Sequence, residues 1–230
     1  MSSITDNLVQ VHSRIALACK HSNRNPDEIT LIAVSKKHRS EKIREAFRAG
    51  QQSFGENYVQ EGIEKITELS DIRNQLIWHF IGPLQSNKTR LIAENFDWVQ
   101  SVDRIKIAHR LSEQRPSNLP PLNICLQVNI SKEETKSGVD LEDALNTCLE
   151  LVTLPNLSLR GLMAIPKPDE TLETIQSFKQ IFVSIQTHLN TYQFKNNFDT
   201  LSIGMSDDLE MSIAGGSTMI RVGTAIFGSR

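Results

Sequence analysis

Lys36 closes an apolar run, Thr30-Leu31-Ile32-Ala33-Val34-Ser35, so its stem is packed and its amine lies at the edge of the core. Partial desolvation and nearby positive charge lower an amine's pKa and favour its neutral, nucleophilic form. Lys37 and Arg221 are sources of such charge. The chemistry this allows is carbonyl trapping as a Schiff base. The commoner fate of a strand-end lysine is to snorkel into solvent. Period-two alternation does not choose between Lys36 and Lys37 until the inner face of the strand is known.

A second group lies near the C-terminus, in Leu201-Ser202-Ile203-Gly204-Met205-Ser206-Asp207-Asp208. Gly204 permits a close turn, and Ser206 stands where a helix begins; the N–H groups and partial positive charge of a helix start suit a phosphate. Taken alone, Ser206 is a helix cap with Asp207 and Asp208 in the first turn. Gly223 and Thr224, just past Met219-Ile220-Arg221-Val222, add an N–H and a hydroxyl and shift the balance to phosphate. Arg221 interrupts an otherwise buried run, and an unpaired buried guanidinium is costly. It either reaches a carboxylate such as Glu210 or faces a ligand. An aldehyde trap, a phosphate cradle and an arginine for a pyridine nitrogen together point to pyridoxal 5′-phosphate.

Such residues converge only if a scaffold brings them together. Residues 3–22 place Ile4, Leu8, Val11 and Ile15 on one helical face behind Ser3 as cap. Strands are expected at Thr30–Ser35, Gln52–Gly55, Ile77–Ile81, Trp98–Val102, Leu122–Asn129, Leu157–Ala164, Thr200–Ile203 and Met219–Val222. Helical patterns fall between them, near 40–50, 57–69, 86–95, 103–114, 140–152, 171–189 and 207–215. Leu141, Ala144, Leu145, Cys148, Leu149 and Val152 form the clearest stripe, with Asp140 as its cap. Strands alternating with helices pair in parallel through right-handed crossovers. Eight of them fit a closed (β/α)8 TIM barrel better than an open doubly wound sheet. The sequence ends eight residues after the last strand, so the N-terminal helix is expected to fill the place of a closing helix.

Composition narrows the classes. Of 230 residues, 39% are hydrophobic and 23% charged, and 25 Lys and Arg against 27 Asp and Glu give a net charge of −2. That is globular, without the basic excess of a nucleic-acid or anionic-membrane binder. Cys19, Cys125 and Cys148 form no CxxC pair and are read as buried thiols of a cytoplasmic protein. The histidines lack metal-ligand spacing, and no signal peptide or membrane span is expected. No linker marks a boundary, so residues 1–230 are read as one domain and, by default, a monomer.

Ala33-Val34-Ser35-Lys36, Phe54-Gly55-Glu56-Asn57-Tyr58, Trp78-His79-Phe80-Ile81-Gly82-Pro83-Leu84-Gln85-Ser86-Asn87-Lys88, Gly161-Leu162-Met163-Ala164, the segment 201–208 and Arg221-Val222-Gly223-Thr224-Ala225-Ile226-Phe227-Gly228 closely resemble the YggS/PROSC family of pyridoxal phosphate homeostasis proteins. The match runs from the first helix to the last glycine. The resemblance implies a barrel similar to the N-terminal domain of alanine racemase, with pyridoxal phosphate held as a reversible aldimine on Lys36. It also implies that Ser206, Gly223 and Thr224 hold the phosphate with Ser202 nearby, that Arg221 faces the pyridine nitrogen and that Asn57 lies beside the ring. Lys136 matches a basic position linked to cofactor exchange. Many members carry a basic tail beyond the point where this sequence stops, at Arg230.

Three functions are then to be compared. One is a carrier that buffers the cofactor and passes it to apo-enzymes. The second is a small pyridoxal-phosphate enzyme of the amino-acid racemase type, which needs a tyrosine opposite the lysine; Tyr58 is the candidate, since Tyr192 falls past a helix. The third is a cofactor-free Schiff-base aldolase acting on a sugar phosphate. The resemblance favours the non-catalytic carrier.

Overall fold

A computed structural model of the protein describes residues 3–131, 137–192 and 197–228. Lys136 and Arg230 lie outside the described residues. The strands are β1 (Thr30–Val34), β2 (Ser53–Glu56), β3 (Ile77–Phe80), β4 (Trp98–Val102), β5 (Leu122–Gln127), β6 (Leu157–Met163), β7 (Thr200–Ser202) and β8 (Met219–Val222). They close in sequence order into a parallel barrel. Closure comes from β1 against β8, where Ile32 lies opposite Arg221 and Ala33 opposite Val222. The open-sheet alternative is thereby excluded.

Helices α2 (Ser40–Arg48), α3 (Val59–Glu68), α4 (Thr89–Asn95), α5 (Ile105–Gln114), α6 (Ala144–Leu151), α7 (Leu172–Thr191) and α8 (Leu209–Ala214) follow the first seven strands. Among the described residues β8 is followed by α9, the single turn Thr224–Phe227. The N-terminal helix α1 (Ile4–His21) fills the gap, packed on α2, α8 and α9. Its capping box joins Ser3 and Asp6, and it buries Ile4, Leu8, Val11 and Ile15. Asn7 Nδ2 donates to the Ile226 carbonyl at 2.8 Å and pins α1 to α9. The helix expected from Asp140 starts later. Leu141–Asp143 form a 3-10 turn with no side-chain cap bond from Asp140, and α6 begins at Ala144.

The core has two layers. Between strands and helices lie Phe54, Phe80, Phe96, Phe178 and Phe182, all essentially inaccessible. Inside the barrel Ile32, Trp98, Cys125, Met163 and Met219 form a separate cluster. Burial of a large aromatic or aliphatic side chain contributes about 1.5–3 kcal/mol, so the outer layer supplies most of the drive to close. Gly161 marks where β6 runs hard against β7. A Cβ there would sit 1.7 Å from the Thr200 carbonyl oxygen, at a φ of 156°.

The three thiols are free and buried. Burial pushes the Cys125 thiol up to about 12, which leaves it without the thiolate that reactivity requires. Among the described residues no helix is long and apolar enough to cross a membrane, and no group of His, Cys, Asp and Glu could hold a metal ion.

Candidate functional site

Segments at the ends of six strands meet at the C-terminal mouth of the barrel around a cavity of about 490 Å3. Lys36, Asn57, Ser206, Arg221, Gly223 and Thr224 all line it, with Val34, Ile81 and Ile165 as apolar wall. In barrels of this kind chemistry sits in the loops after the strands. Lys36 follows β1, Asn57 follows β2, Ser206 follows β7, and Gly223 and Thr224 follow β8. The choice between lysines is geometric. Lys36 lines the cavity, whereas Lys37 is exposed in a surface cleft with Arg39 and Glu41.

Ser206 does not cap a helix. Asp208 occupies that position before α8, and its carboxylate accepts from the Met205 N–H at 2.5 Å. The turn is possible because Gly204 takes a φ of 109°, where a side chain would press on Ser212. Arg14 of α1 holds the turn from outside, donating through Nη2 to the Ser206 carbonyl at 2.9 Å and through Nε to Glu210 at 2.7 Å. Glu210 is thus the partner of Arg14 and not of Arg221. Asp207 also belongs to the cavity lining and brings an acidic residue to it.

Arg221 is 5% exposed and donates inward, through Nη1 to Ser202 Oγ at 2.6 Å and through Nη2 to the Ala164 carbonyl at 3.0 Å. Burial lowers its pKa to about 10, so it remains a cation at neutral pH. Ser202 is fully buried beneath the cavity and is not part of its lining. Its hydroxyl donates to Gln100 Oε1 at 2.7 Å, and Gln100 Nε2 lies 3.0 Å from His79 Nδ1. Since the Gln100 oxygen is occupied, its amide donates and His79 Nδ1 accepts, which puts the imidazole proton on Nε2. A one-way chain of donors therefore runs Arg221, Ser202, Gln100, His79. It orients the guanidinium from below.

Sequence reasoning missed Gln100 and His79. His79 stands between Trp78 and Phe80 and Gln100 between Val99 and Ser101, and nothing in their spacing signals an inward polar row. His79 stacks on Trp98 at 5.2 Å between ring centroids, and its Nε2 is buried without a partner. Burial lowers its pKa from 6.5 to about 3. The unfolded chain then binds a proton that the folded chain refuses, so stability is complete above pH ~6.5 and declines as the pH falls toward ~3. Acid titration of unfolding should show this slope, and His79→Gln should remove up to about one proton from it. An unchanged slope would mean that His79 is protonated in the folded state.

A second cavity of about 530 Å3 lies at the opposite end of the barrel, beside His79, Trp98 and Arg160. Arg160 is fully engaged there: it bonds Asp199 through both carboxylate oxygens, reaches Asn123 and the Asn197 carbonyl, and lies 4.7 Å over Trp98. That end of the barrel is held together by these contacts, as expected for the stabilising face of this architecture.

Barrel topology, an N-terminal helix in the eighth position and a lysine at the end of β1 define a protein of the alanine racemase barrel class. The family described as alanine racemase, N-terminal domain, matches residues 7–230. The alanine racemase of Corynebacterium glutamicum shares the fold at 15% identity and a TM-score of 0.67, over 98% of this chain and 61% of its own. More similar is the pyridoxal phosphate homeostasis protein of Escherichia coli strain K12, 50% identical over 232 residues, covering 100% of this chain and 98% of the relative. PipY of Synechococcus elongatus PCC7942, solved with PLP bound, is 37% identical with a TM-score of 0.81, covering 98% of this chain and 100% of its own. The chain belongs to the family of pyridoxal phosphate homeostasis proteins.

Proposed function

We propose that this protein binds pyridoxal phosphate at the C-terminal mouth of its barrel, holds it reversibly and yields it to apo-enzymes. Residues 1–230 act as one domain, a monomer in the cytoplasm. The observation that carries the reading is the convergence of Lys36, Arg221, Ser206 and the Gly223–Thr224 turn on one cavity. The cavity suits the cofactor in size and donor set. It also holds one unused polar atom, Asn57 Oδ1, buried and without a hydrogen-bond partner. Bound pyridoxal phosphate supplies an aldehyde whose oxygen leaves as water when an amine nitrogen takes its place.

Each residue then has a task. Lys36 provides the amine. Ser206 and Thr224 offer hydroxyls to the phosphate, with the first N–H groups of α9 beyond Gly223. Val34 and Ile81 provide the apolar wall for a flat ring. Arg221, held by Ser202 and the Ala164 carbonyl, keeps a positive charge in the cavity lining and would oppose protonation of a pyridine nitrogen bound beside it. A ring kept unprotonated in this way would be a weaker electron sink. Tyr58 is 51% exposed and Tyr192 is 64% exposed, and neither lines the cavity, which supports the carrier over a racemase with a tyrosine as its second acid.

Two assays separate carrier from enzyme. Loaded protein mixed with the apo-form of a pyridoxal-phosphate enzyme should restore that enzyme's activity. Incubation with L-alanine or L-serine in deuterated water should give no α-hydrogen exchange above a Lys36→Ala control. Lys36-dependent exchange over many turnovers would sink the carrier reading in favour of the racemase type, with Tyr58 tested first.

A further inference from the structure

The turn that presents Lys36 is gripped from both sides by one ionic cluster. Lys65 of α3, 5% exposed, donates to the Ser35 carbonyl at 2.7 Å, to Glu56 Oε1 at 2.7 Å and to Glu61 Oε1 at 2.6 Å. The Ser35 hydroxyl donates to the same Glu56 oxygen at 2.6 Å. On the far side of Lys36, the Lys37 N–H donates to the same oxygen of Glu61. Residue 35 is therefore fixed by Glu56 and Lys65, and residue 37 by Glu61. Within the turn the His38 N–H closes onto the Ser35 carbonyl at 3.0 Å, and Lys37 sits at a φ of 63°. A non-glycine residue holds that left-handed conformation when its surroundings impose it.

The cost of the cluster is evident. Glu56 is fully buried, one of its oxygens has no partner, and desolvation opposes its charge. A buried ion pair of this kind is poor evidence for stability, since apolar residues of similar size often serve as well. Its contacts point instead to geometry, because the groups it fixes are the backbone neighbours of Lys36. Glu61 and Lys65 lie one helical turn apart on α3, where they are ideally placed to meet each other.

We propose that Glu61, with Lys65 and Glu56, positions Lys36: by fixing the peptide groups on both sides, it aims the Lys36 side chain at the cavity and favours covalent capture over simple binding. This rests on the reading of the cavity as a pyridoxal phosphate site. None of the three residues lines that cavity. Their effect is confined to the amine and leaves the hydroxyls of Ser206 and Thr224 untouched.

Pyridoxine phosphate, which carries an alcohol in place of the aldehyde, separates the two contributions. Glu61→Ala should lower affinity for pyridoxal phosphate about tenfold, as for a lost hydrogen bond to a charged group, and slow the rise of imine absorbance. Affinity for pyridoxine phosphate should stay within about twofold. Glu61→Gln keeps an oxygen acceptor for the Lys37 N–H and should retain most of the capture. Lys65→Met should act in the same direction as Glu61→Ala. Should it fail to fold, the partly exposed Glu61 position still carries the test. Equal losses for the two ligands, or no loss in Glu61→Ala, would overturn the positioning role. A wild type that binds both ligands alike would overturn covalent capture and the positioning role, whereas a wild type that binds neither would overturn the cofactor reading itself.

Discussion

Lys36→Ala is expected to abolish borohydride-stable attachment of a pyridoxyl group to the protein while leaving the fold intact. The residue follows β1 in a turn and lines the cavity. The flanking bonds to Ser35 and Lys37 are made to a hydroxyl and to backbone groups, which alanine at residue 36 leaves in place. Reduction of the wild-type protein followed by peptide mapping should place the label on the peptide that contains Lys36. A label found mainly on Lys37 or Lys136 would overturn the assignment. Lys36→Ala should still bind the cofactor through its phosphate contacts, so loss of the covalent link with partial retention of binding is the signature. Complete loss of both would mean that the phosphate contacts contribute little.

The barrel was legible because its two periods are clean. Ile4, Leu8, Val11 and Ile15 mark a helical face, and all four are buried against the barrel helices. Strand ends were less legible. Ser35 reads as the last residue of an apolar strand, but β1 stops at Val34 because the backbone must enter the left-handed turn at Lys37. Helix starts fail where capping is ambiguous: Asp207 and Asp208 make Ser206 look like a cap, yet Asp208 bonds back to Met205 and α8 begins at Leu209. Arg221 was flagged by the cost of burying its charge, and that cost is what Ser202 and Ala164 offset. Ser202 itself was expected near a phosphate and lies one layer lower, between Arg221 and Gln100.

The residues that escaped sequence reading share a physical feature. Gln100, His79, Glu56 and Lys65 are polar side chains whose partners are distant in the chain or sit on another element. Pairing of Gln100 with Ser202 spans 102 positions, so no local pattern records it. Only Glu61 and Lys65, four residues apart on α3, leave a local trace, and that trace resembles an ordinary surface pair. The family resemblance reaches Lys36 by motif alone. Geometry adds why Lys36 and not its neighbour is suited to the task, since Lys37 spends its backbone conformation on making the turn.

The phosphate end should be separable from the aldehyde end. Ser206→Ala combined with Thr224→Val removes two hydroxyls from the cavity lining and leaves the backbone N–H groups in place. A hydrogen bond to a charged group contributes about 1.5–3 kcal/mol, so affinity for pyridoxal phosphate should fall by at least about tenfold. Folding should be little affected, because Thr224 is exposed and Ser206 is half-buried. The Ser206 contact to Arg14 is made by its carbonyl and survives the change. Pyridoxal without the phosphate should bind the wild type weakly and be nearly indifferent to the double substitution. The nearby Asp207 adds a second handle: Asp207→Asn removes a negative charge from the lining and should tighten binding of the phosphate form, more at low salt than at high. Equal losses of pyridoxal and pyridoxal phosphate in the double variant would move the anion site elsewhere, because a change confined to the phosphate cannot be felt by a ligand that lacks one.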